Sequence, residues 1–300
     1  MSSKIYIGPA GWIYNDWEGI VYPVQREKKF DPLVYIAQFV NLVEINSSFY
    51  RPPVVKTALK WVERIKSQPE FLFTYKLWQV YTHNRGAFPG EGEEVAVKSG
   101  LDVLKTHNRL GALLIQFPWS FKKTSENQDW LVRVITTFAD YNPVVEVRHN
   151  SWNGKEFLCL LNDTGAAFAN IDQPTIGQSI GLTAFSSERL SYLRLHGRNF
   201  KNWFSKEADV ASRYDYLYRD DELSRIAATI EHMIDNSPKT FIVFNNHFRG
   251  QAVANALQMM HLLEGKRINV PVQLTEIYPQ LKLISLHPDS TVGQVSLFND

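Results

Sequence analysis

The sequence predicts an α/β fold, a single (β/α)8 barrel of the TIM type, and three observations support this. Short apolar runs bounded by turn residues alternate with longer segments whose apolar residues recur every three or four positions. Roughly eight such strand candidates occur, the number that a closed barrel needs. Several of them, such as Phe241-Ile242-Val243-Phe244, are apolar nearly throughout, which is typical of parallel strands covered on both faces.

The predicted elements follow one another in a regular order. Strands are predicted at residues 4–8, 42–46, 71–76, 112–117, 144–148, 166–171, 191–196 and 241–246. Helices are predicted between them at residues 32–39, 54–67, 94–107, 127–138, 155–163, 220–235 and 252–264. Irregular loops are expected at residues 11–31, 82–92 and 197–218, and the last carries aromatic residues that could cover a pocket at the mouth of the barrel.

No phosphate-binding motif of the form G-x-G-x-x-G or G-x-x-x-x-G-K-[ST] follows a predicted strand. This favours the barrel over a doubly wound nucleotide-binding sheet, which is the other fold that a long strand-helix series forms. The sequence also shows no repeat, low-complexity tract or linker. We therefore predict one domain over residues 1–300.

Composition and charge exclude several classes of protein. With 44% hydrophobic and 21% charged residues, the chain is neither disordered nor a coiled coil. Its 32 Lys and Arg nearly balance 31 Asp and Glu, so no overall charge attracts nucleic acid or a membrane. Cys159 is the only cysteine, which excludes an internal disulfide framework. Since no signal peptide or membrane-length apolar segment occurs, we expect a soluble, cytoplasmic protein without a membrane partner.

Polar side chains stand at the carboxyl end of strand after strand. They are Glu44, Asn46, Lys76, Gln116, Glu146, Arg148, Asp172, Arg194, His196, Asn245 and Asn246. In a (β/α) barrel these positions converge on one mouth, where enzymes of this fold keep their sites. Because side chains alternate along a strand, residues two apart, such as Arg194 and His196, are predicted to look inward together. The alternative is that these charges pair off as a structural network.

Five segments then carry a more specific signal, in order along nearly the whole chain. They are residues 43–51 (VEINSSFYR), 113–118 (LLIQFP), 146–152 (EVRHNSW), 192–197 (YLRLHG) and 244–246 (FNN) with Asn255-Ala256. Together they resemble the DUF72 family, also called YecE-like. The resemblance implies a TIM barrel related to sugar isomerases, with a site at its mouth and no settled activity.

The chain departs from the pattern of that family at three places. The run from Gly8 to Trp12 lacks the hydroxyl pair that usually stands between its glycines, and Trp119 replaces a second proline after Pro118. Lys76 is followed by Leu-Trp where the family has a proline. We interpret these departures as conformational.

The cations among the strand-end residues suggest the class of ligand. Lys76, Arg148 and Arg194 surround one mouth, and the planar fork of arginine suits a phosphate or carboxylate. The alternative is that Glu44, Glu146 and Asp172 simply neutralise these cations. The predicted substrate-binding residues are Asn46, Tyr50, Lys76, Gln116, Arg148, Asp172, Arg194, Asn245 and Asn246.

The candidate catalytic residues are Glu44, Glu146 and His196. A carboxylate between an apolar wall and fixed cations can have its pKa tuned toward the working pH, so both glutamates are candidate general bases. His196 is either a proton shuttle or a hydrogen-bonded wall residue. The remaining histidines are scattered without metal-ligand spacing, with His83 and His149 near strand ends.

A divalent metal is the open question about cofactors. Glu44, Glu146, Asp172 and His196 could together hold Mg²⁺, Mn²⁺ or Zn²⁺. Against this, the sequence has no H-x-H or H-E-x-x-H pair, and the intervening cations would repel such an ion. We assign no metal ligand and no cofactor.

These observations favour an enzyme that performs isomerase- or lyase-like acid-base chemistry on a small anionic, carbohydrate-like metabolite. Two alternatives stay open. One is a metal-dependent phosphodiesterase or nucleic-acid endonuclease, against which the near-neutral net charge counts. The other is a ligand-binding or sensor module that turns nothing over. The sequence predicts no oligomeric state.

Overall fold

The structure is a computed structural model that describes residues 3–200 and 213–287. Its eight strands are β1 (Lys4–Pro9), β2 (Leu42–Ile45), β3 (Leu72–Lys76), β4 (Leu110–Gln116), β5 (Pro143–Glu146), β6 (Ala167–Asp172), β7 (Ser191–Leu195) and β8 (Lys239–Phe244). They form one sheet in the order β1-β8-β7-β6-β5-β4-β3-β2, and the paired neighbours are parallel. The predicted (β/α)8 barrel is confirmed.

Helices cover the outside of this sheet. Those of the described residues are α1 (Pro32–Ile36), α2 (Val55–Arg64), α3 (Glu91–Thr106), α4 (Ser125–Thr137), α5 (Lys155–Asp163), α6 (Asp220–Asp235), α7 (Gln251–Glu264) and α8 (Val272–Ile277). Local chemistry sets their starts: the Asp31 carboxylate accepts from the backbone N–H of Leu33 at 2.9 Å, just before α1. Thr124 caps α4 in the same way through Asn127 N–H.

The element bounds differ from the predicted ones in a few places. Helix α1 ends at Ile36, three residues earlier than predicted, and the short α8 was not predicted. Of the predicted loop at 197–218, residues 201–212 lie outside the described part of the chain. No helix among residues 3–200 and 213–287 is long and apolar enough to cross a membrane.

Strands β1 and β2 meet at the seam that closes the barrel. The backbone N–H of Gly11 donates to the Glu44 carbonyl at 2.9 Å, beside a parallel bridge between Ala10 and Glu44. A Cβ atom on Gly8 would lie 1.7 Å from the Leu42 carbonyl oxygen, so the two backbones approach too closely for any side chain there. The sequence therefore needs glycine at this point of the seam.

Asn41 holds the lower part of the same seam. Its Oδ1 accepts from Ile7 N–H at 2.7 Å and its Nδ2 donates to the Ile5 carbonyl at 2.9 Å. The side chain therefore takes the place of ladder hydrogen bonds between β1 and β2.

Replacing Asn41 with Ala should lower the free energy of unfolding by about 1–3 kcal/mol, because two backbone groups lose their partners. Urea unfolding followed by circular dichroism would measure it. Asn41→Asp tests the bond to Ile5 separately: it keeps the acceptor for Ile7 but sets a carboxylate oxygen against the Ile5 carbonyl, so it should also lower the free energy of unfolding. Equal stability of Asn41→Ala and wild type would contradict this role of Asn41.

The interior of the barrel is apolar toward the amino ends of the strands, its lower part, and charged toward their carboxyl ends. Tyr6, Leu42, Leu114, Tyr192 and Phe241 are among the buried residues of its lower part. Larger apolar clusters fill the space between the strands and the surrounding helices. Since inward positions recur every second residue, the same strands carry their polar side chains upward to the carboxyl ends. This places the charged residues at the mouth.

Candidate functional site at the mouth of the barrel

A cavity of about 780 Å³ opens at the carboxyl ends of the strands. The predicted site residues that line it are Asn46, Tyr50, Lys76, Gln116, Arg148, Arg194 and Asn245. Its other polar or aromatic lining residues include Trp12, Tyr14, Phe49, His83, Trp119, Tyr214 and His247. Its volume is in the range of small-molecule sites, and such sites combine apolar walls with a few convergent polar groups.

Arg194 stands at the centre of the charged residues below this cavity. Its Nε and Nη2 donate to the two carboxylate oxygens of Glu44 at 3.0 and 2.6 Å, and its Nη1 donates to Glu146 Oε2 at 2.6 Å. Arg194 is 1% exposed and both glutamates are fully buried. Tyr192 Oη adds a contact of 3.0 Å to Glu44 Oε2. The guanidinium therefore bridges two carboxylates on β2 and β5 from its place on β7.

Glu146 is shared between two arginines. Its Oε1 accepts from Arg148 Nε at 2.9 Å, while its Oε2 accepts from Arg194. Burial alone would raise the pKa of Glu146, but the charges of Arg194 and Arg148 outweigh burial and hold this pKa well below its usual range. Glu146 is therefore a permanent anion at neutral pH, whose role in this geometry is to fix the two guanidinium groups.

His196 lies within the same network. Its Nε2 is 3.4 Å from Arg194 Nη1 and 3.4 Å from Glu146 Oε1, and its Nδ1 is 3.0 Å from Asn245 Nδ2. The ring is fully buried, and burial lowers the pKa of His196 to about 3 in spite of the nearby Glu146 charge. His196 is thus a neutral, hydrogen-bonded wall residue at physiological pH.

The three predicted catalytic residues, Glu44, Glu146 and His196, are therefore brought together but placed behind the cavity. None of them is among the described residues that line it. The oxygens of both glutamates are occupied by guanidinium groups, so in this arrangement neither presents a lone pair to a ligand. Their predicted role as general bases stays a prediction, and the geometry favours a positioning role.

Lys76 differs from Arg148 and Arg194 because it forms no ion pair with a carboxylate of the described residues. In the part of the chain that the structure describes, Glu44 and Glu146 pair with Arg194 and Arg148, and no carboxylate forms an ion pair with Lys76. Burial first, and then the charge of Arg194, lower the pKa of Lys76 to about 7. Its Nζ lies 4.1 Å from the centre of the Phe49 ring. Lys76 therefore changes protonation near neutral pH while it faces the cavity.

Tyr14, Asn46 and His247 form an uncharged part of the cavity lining. The Tyr14 ring stacks on the His247 ring with their centres 4.4 Å apart. Burial lowers the pKa of His247 to about 4, so this ring is neutral as well. The buried atoms Asn46 Oδ1 and His247 Nδ1 have no hydrogen-bond partner among the described residues. Such atoms can accept or donate to the hydroxyl groups of a ligand.

Asp172 and Asn246 are not brought to the cavity, although both were predicted to bind substrate. Ala169 and Asn245 occupy the inward positions of β6 and of the end of β8, so strand alternation turns Asp172 and Asn246 outward. Asp172 pairs there with Arg198 at 2.7 Å and accepts from Tyr218 Oη at 2.6 Å. Asn246 Nδ2 donates to Asn255 Oδ1 of α7 at 2.9 Å. Both residues tie the barrel to its outer layer.

The residues of this site do not fit a shared divalent metal. Glu44 and Glu146, the carboxylates that would have to converge, are held on two sides of the Arg194 guanidinium. Asp172 pairs with Arg198 on the outer side of β6. Within residues 3–200 and 213–287, no group of three or more His, Cys, Asp or Glu side chains is arranged to hold a metal ion. A cation, Arg194, thus occupies the place between the two carboxylates.

The comparisons with known proteins agree with this fold. A family model described as "Protein of unknown function DUF72" matches residues 6–279. The chain belongs to the DUF72 family. It is similar to the UPF0759 protein YunF of Bacillus subtilis strain 168, with 30% identity over 274 residues, 87% of this chain and 95% of that protein.

Two solved DUF72 structures are also similar. One, from Thermotoga maritima MSB8, shares 30% identity, covers 87% of this chain and 99% of that chain, and superposes with a TM-score of 0.76. The other, from Enterococcus faecalis V583, shares 23% identity, covers 87% of this chain and 95% of that chain, and has a TM-score of 0.75. The second likeness concerns the fold alone.

The loop after β1 brings an aromatic ring to the cavity. Gly11 has a positive φ of 85°, and a Cβ atom there would lie 2.6 Å from the Tyr14 hydroxyl. The turn directs Tyr14 back so that its hydroxyl donates to the Ala10 carbonyl at 2.5 Å. In this DUF72 protein the loop thus contributes an aromatic ring to the cavity.

Several lining residues were not predicted from the sequence. Tyr14 and His247 lie in loops that follow β1 and β8, and their stacking joins positions 233 residues apart, which no local pattern reveals. His83 had one usable signal, its position shortly after β3. Burial first, and then the charge of Lys76, lower the pKa of His83 to about 4.

Proposed function

We propose that the cavity binds a small anionic, carbohydrate-like molecule and that the protein performs isomerase- or lyase-like acid-base chemistry on it. One observation carries the first part of this proposal. At the inward strand-end positions, three cations, Lys76, Arg148 and Arg194, stand against two carboxylates, Glu44 and Glu146. Because the pKa of Lys76 is about 7, the excess of positive charge among these described residues lies between zero and one at neutral pH, and an anionic ligand favours the protonated form of Lys76.

Arg148 is best placed to hold the anionic group. Its side chain is 17% exposed and lines the cavity, whereas Arg194 is 1% exposed. Glu146 fixes the orientation of Arg148 through its Nε, so the planar fork is preorganised before the ligand arrives. A preorganised guanidinium favours phosphate or carboxylate because it offers two parallel donors.

The carbohydrate-like character comes from the uncharged residues of the lining. Asn46, Asn245 and His247 supply neutral polar atoms, and Tyr14 and Phe49 supply aromatic faces. Sites that hold polyhydroxylated molecules need both kinds of group, since ring faces bury C–H surface while amides bond hydroxyls. The lining therefore suits a molecule that carries both an anionic group and hydroxyl groups.

Lys76 is the group that we propose for acid-base catalysis. An effective proton-transfer group has a pKa near the working pH, and Lys76 combines a pKa of about 7 with a place on the cavity wall. His83 and His247, which also line the cavity, have pKa values of about 4. Glu44 and Glu146 support this chemistry by holding the arginines in place.

Thermal unfolding with matched ligands tests the proposal. Glucose 6-phosphate should raise the melting temperature, because a ligand that binds the folded state stabilises it, and glucose at the same concentration should have a much smaller effect. Short DNA and RNA oligonucleotides with and without Mg²⁺ complete the series. Stabilisation by oligonucleotide with Mg²⁺ and by no sugar phosphate would instead support the nuclease. Ligand binding without product in a turnover assay would support the sensor.

A further inference from the structure

Lys76 is held on the cavity wall by its own backbone. It is the last residue of β3, and the Ser48 hydroxyl donates to its carbonyl at 2.7 Å. On the other side, Leu77 N–H donates to the Leu114 carbonyl of β4 at 2.9 Å. The side chain then runs inward and upward, so that Nζ lies over the face of Phe49. A lysine at this position presents its amine to a ligand at a fixed height above the charged residues.

The surroundings of this amine disfavour the ammonium form. The two buried carboxylates nearby are occupied by the bidentate pair with Arg194 and the shared pair with Arg148. The positive charges of those arginines and the loss of hydration both act against a proton on Lys76. At neutral pH a large fraction of the Lys76 side chains therefore has a free nitrogen lone pair, which makes a buried lysine a nucleophile.

We propose that Lys76 forms an imine with the ligand, so that the ligand is an aldehyde or ketone that carries a phosphate or carboxylate. This inference rests on the proposed function, since Arg148 must hold the anionic group while the carbonyl carbon lies at Lys76. It extends that function, because it names the reacting group: Lys76 acts through a covalent bond to the carbonyl carbon, and the iminium ion makes the adjacent C–H or C–C bond easier to break in the acid-base step.

The chemical step balances without any oxidant or reductant. The Lys76 nitrogen attacks the carbonyl carbon, a C–N bond forms, and the former π electron pair moves to oxygen, which takes up a proton. The carbinolamine then loses the C–O bond, and this oxygen leaves as water with the remaining amine proton. Protonation of the imine gives an iminium ion, which draws electrons from the adjacent C–H or C–C bond. That is the bond which an isomerase or a lyase must break.

The Phe49 ring supports the cationic form of this intermediate. A cation over an aromatic face is stabilised by the ring quadrupole, more so where water is excluded. The ring centre already lies 4.1 Å from Nζ, and an iminium on the same nitrogen would keep its charge there. The site thus tolerates both the neutral amine that attacks and the cation that forms.

Reductive trapping tests this proposal directly. The protein is incubated with glyceraldehyde 3-phosphate and sodium cyanoborohydride, and the modified peptides are identified by mass spectrometry. We expect one main adduct, on Lys76, formed roughly tenfold or more faster than with glyceraldehyde, which lacks the anionic group. Its rate should rise with pH through about 7, since only the neutral amine attacks. Exposed lysines would gain reactivity only toward their usual pKa near 10.5.

Three variants and one ligand complete the design. Lys76→Arg keeps the charge and should lose the adduct, and Lys76→Met provides a second variant in case the first folds poorly. Lys4→Arg alters an exposed lysine that pairs with Glu70 and should keep the adduct on Lys76. Glycerol 3-phosphate has no carbonyl group, so its effect on the melting temperature reports anion binding alone.

The outcomes separate this inference from the proposed function. Stabilisation by glycerol 3-phosphate without an adduct on Lys76 overturns the imine and leaves the anion site standing. An adduct on Lys76 at equal rates with and without the phosphate supports the imine and contradicts the anion site. Adducts spread over exposed lysines, or neither binding nor adduct, overturn the imine.

Discussion

Replacing Arg194 with Met should lower the free energy of unfolding by about 3–5 kcal/mol, because it leaves two buried carboxylates without their shared counter-ion. Glu44 would lose both of its guanidinium contacts, and Glu146 would keep Arg148 as its guanidinium partner. A methionine fills similar space, so the decrease in the free energy of unfolding arises from the missing positive charge more than from a change in side-chain volume. Urea unfolding of wild type and variant at pH 7 measures the difference.

Two further variants make this result interpretable. Adding Glu44→Gln to Arg194→Met removes one of the stranded charges and should recover part of the lost stability. Arg219→Met removes an exposed arginine that pairs with Asp221, and it should change the free energy of unfolding far less than Arg194→Met, because exposed ion pairs contribute little. If Arg194→Met were as stable as Arg219→Met, the two glutamates would not depend on Arg194.

Replacing Arg148 with Gln should weaken the binding of glucose 6-phosphate by about tenfold to a hundredfold. A hydrogen bond to a charged group contributes about 1.5–3 kcal/mol, and tenfold in affinity corresponds to about 1.4 kcal/mol. Glu146 keeps its contact with Arg194 in this variant, so the folded state should be retained. Calorimetric titration of wild type and variant measures both affinities.

The control for this effect is Arg219→Gln, which removes a positive charge from an exposed position away from the cavity lining. Its affinity for glucose 6-phosphate should equal that of wild type at moderate salt, where exposed charges are screened. An equal loss in both variants would mean that overall charge, and not the Arg148 fork, attracts the ligand.

The fold was predictable because each strand carries its own signal. Apolar runs such as Phe241-Ile242-Val243-Phe244 and their regular spacing require only local patterns, and a parallel series of about eight strands closes in one way. The predicted strand at 42–46 extends one residue past the observed end at Ile45, and Arg148 and His196 likewise follow their strands. These small differences between predicted and observed strand ends arise at the mouth of the barrel, where the residues with polar side chains follow the last backbone hydrogen bonds of the strands.

The site was only partly predictable, for a different physical reason. The local sequence shows whether a residue stands at the end of a strand, so Lys76, Arg148 and Arg194 could be predicted as site residues. Pairing is not local: Glu44 and Arg194 are 150 residues apart, and only the closed barrel shows that Arg194 takes both carboxylates. The same pairing is what leaves Lys76 without an ion pair to any carboxylate of the described residues.

The alternation of inward and outward side chains along each strand could have excluded two residues from the predicted site. Asp172 and Asn246 have the parity of outward positions, next to the inward Ile171 and Asn245, yet their polarity alone marked them as site residues. Their actual partners, Arg198 with Tyr218 and Asn255, lie in loops and helices that follow later in the chain. A polar residue at a strand end is therefore a good candidate for the site only if strand alternation turns its side chain inward.

The most direct test of the anion site is a crystal structure of the protein with glucose 6-phosphate. We predict the phosphate group inside the cavity, with its oxygens about 3 Å from the Arg148 guanidinium and the sugar toward Asn46 and Tyr14. A phosphate bound only outside the cavity, with none of its oxygens in contact with Arg148, would contradict the account.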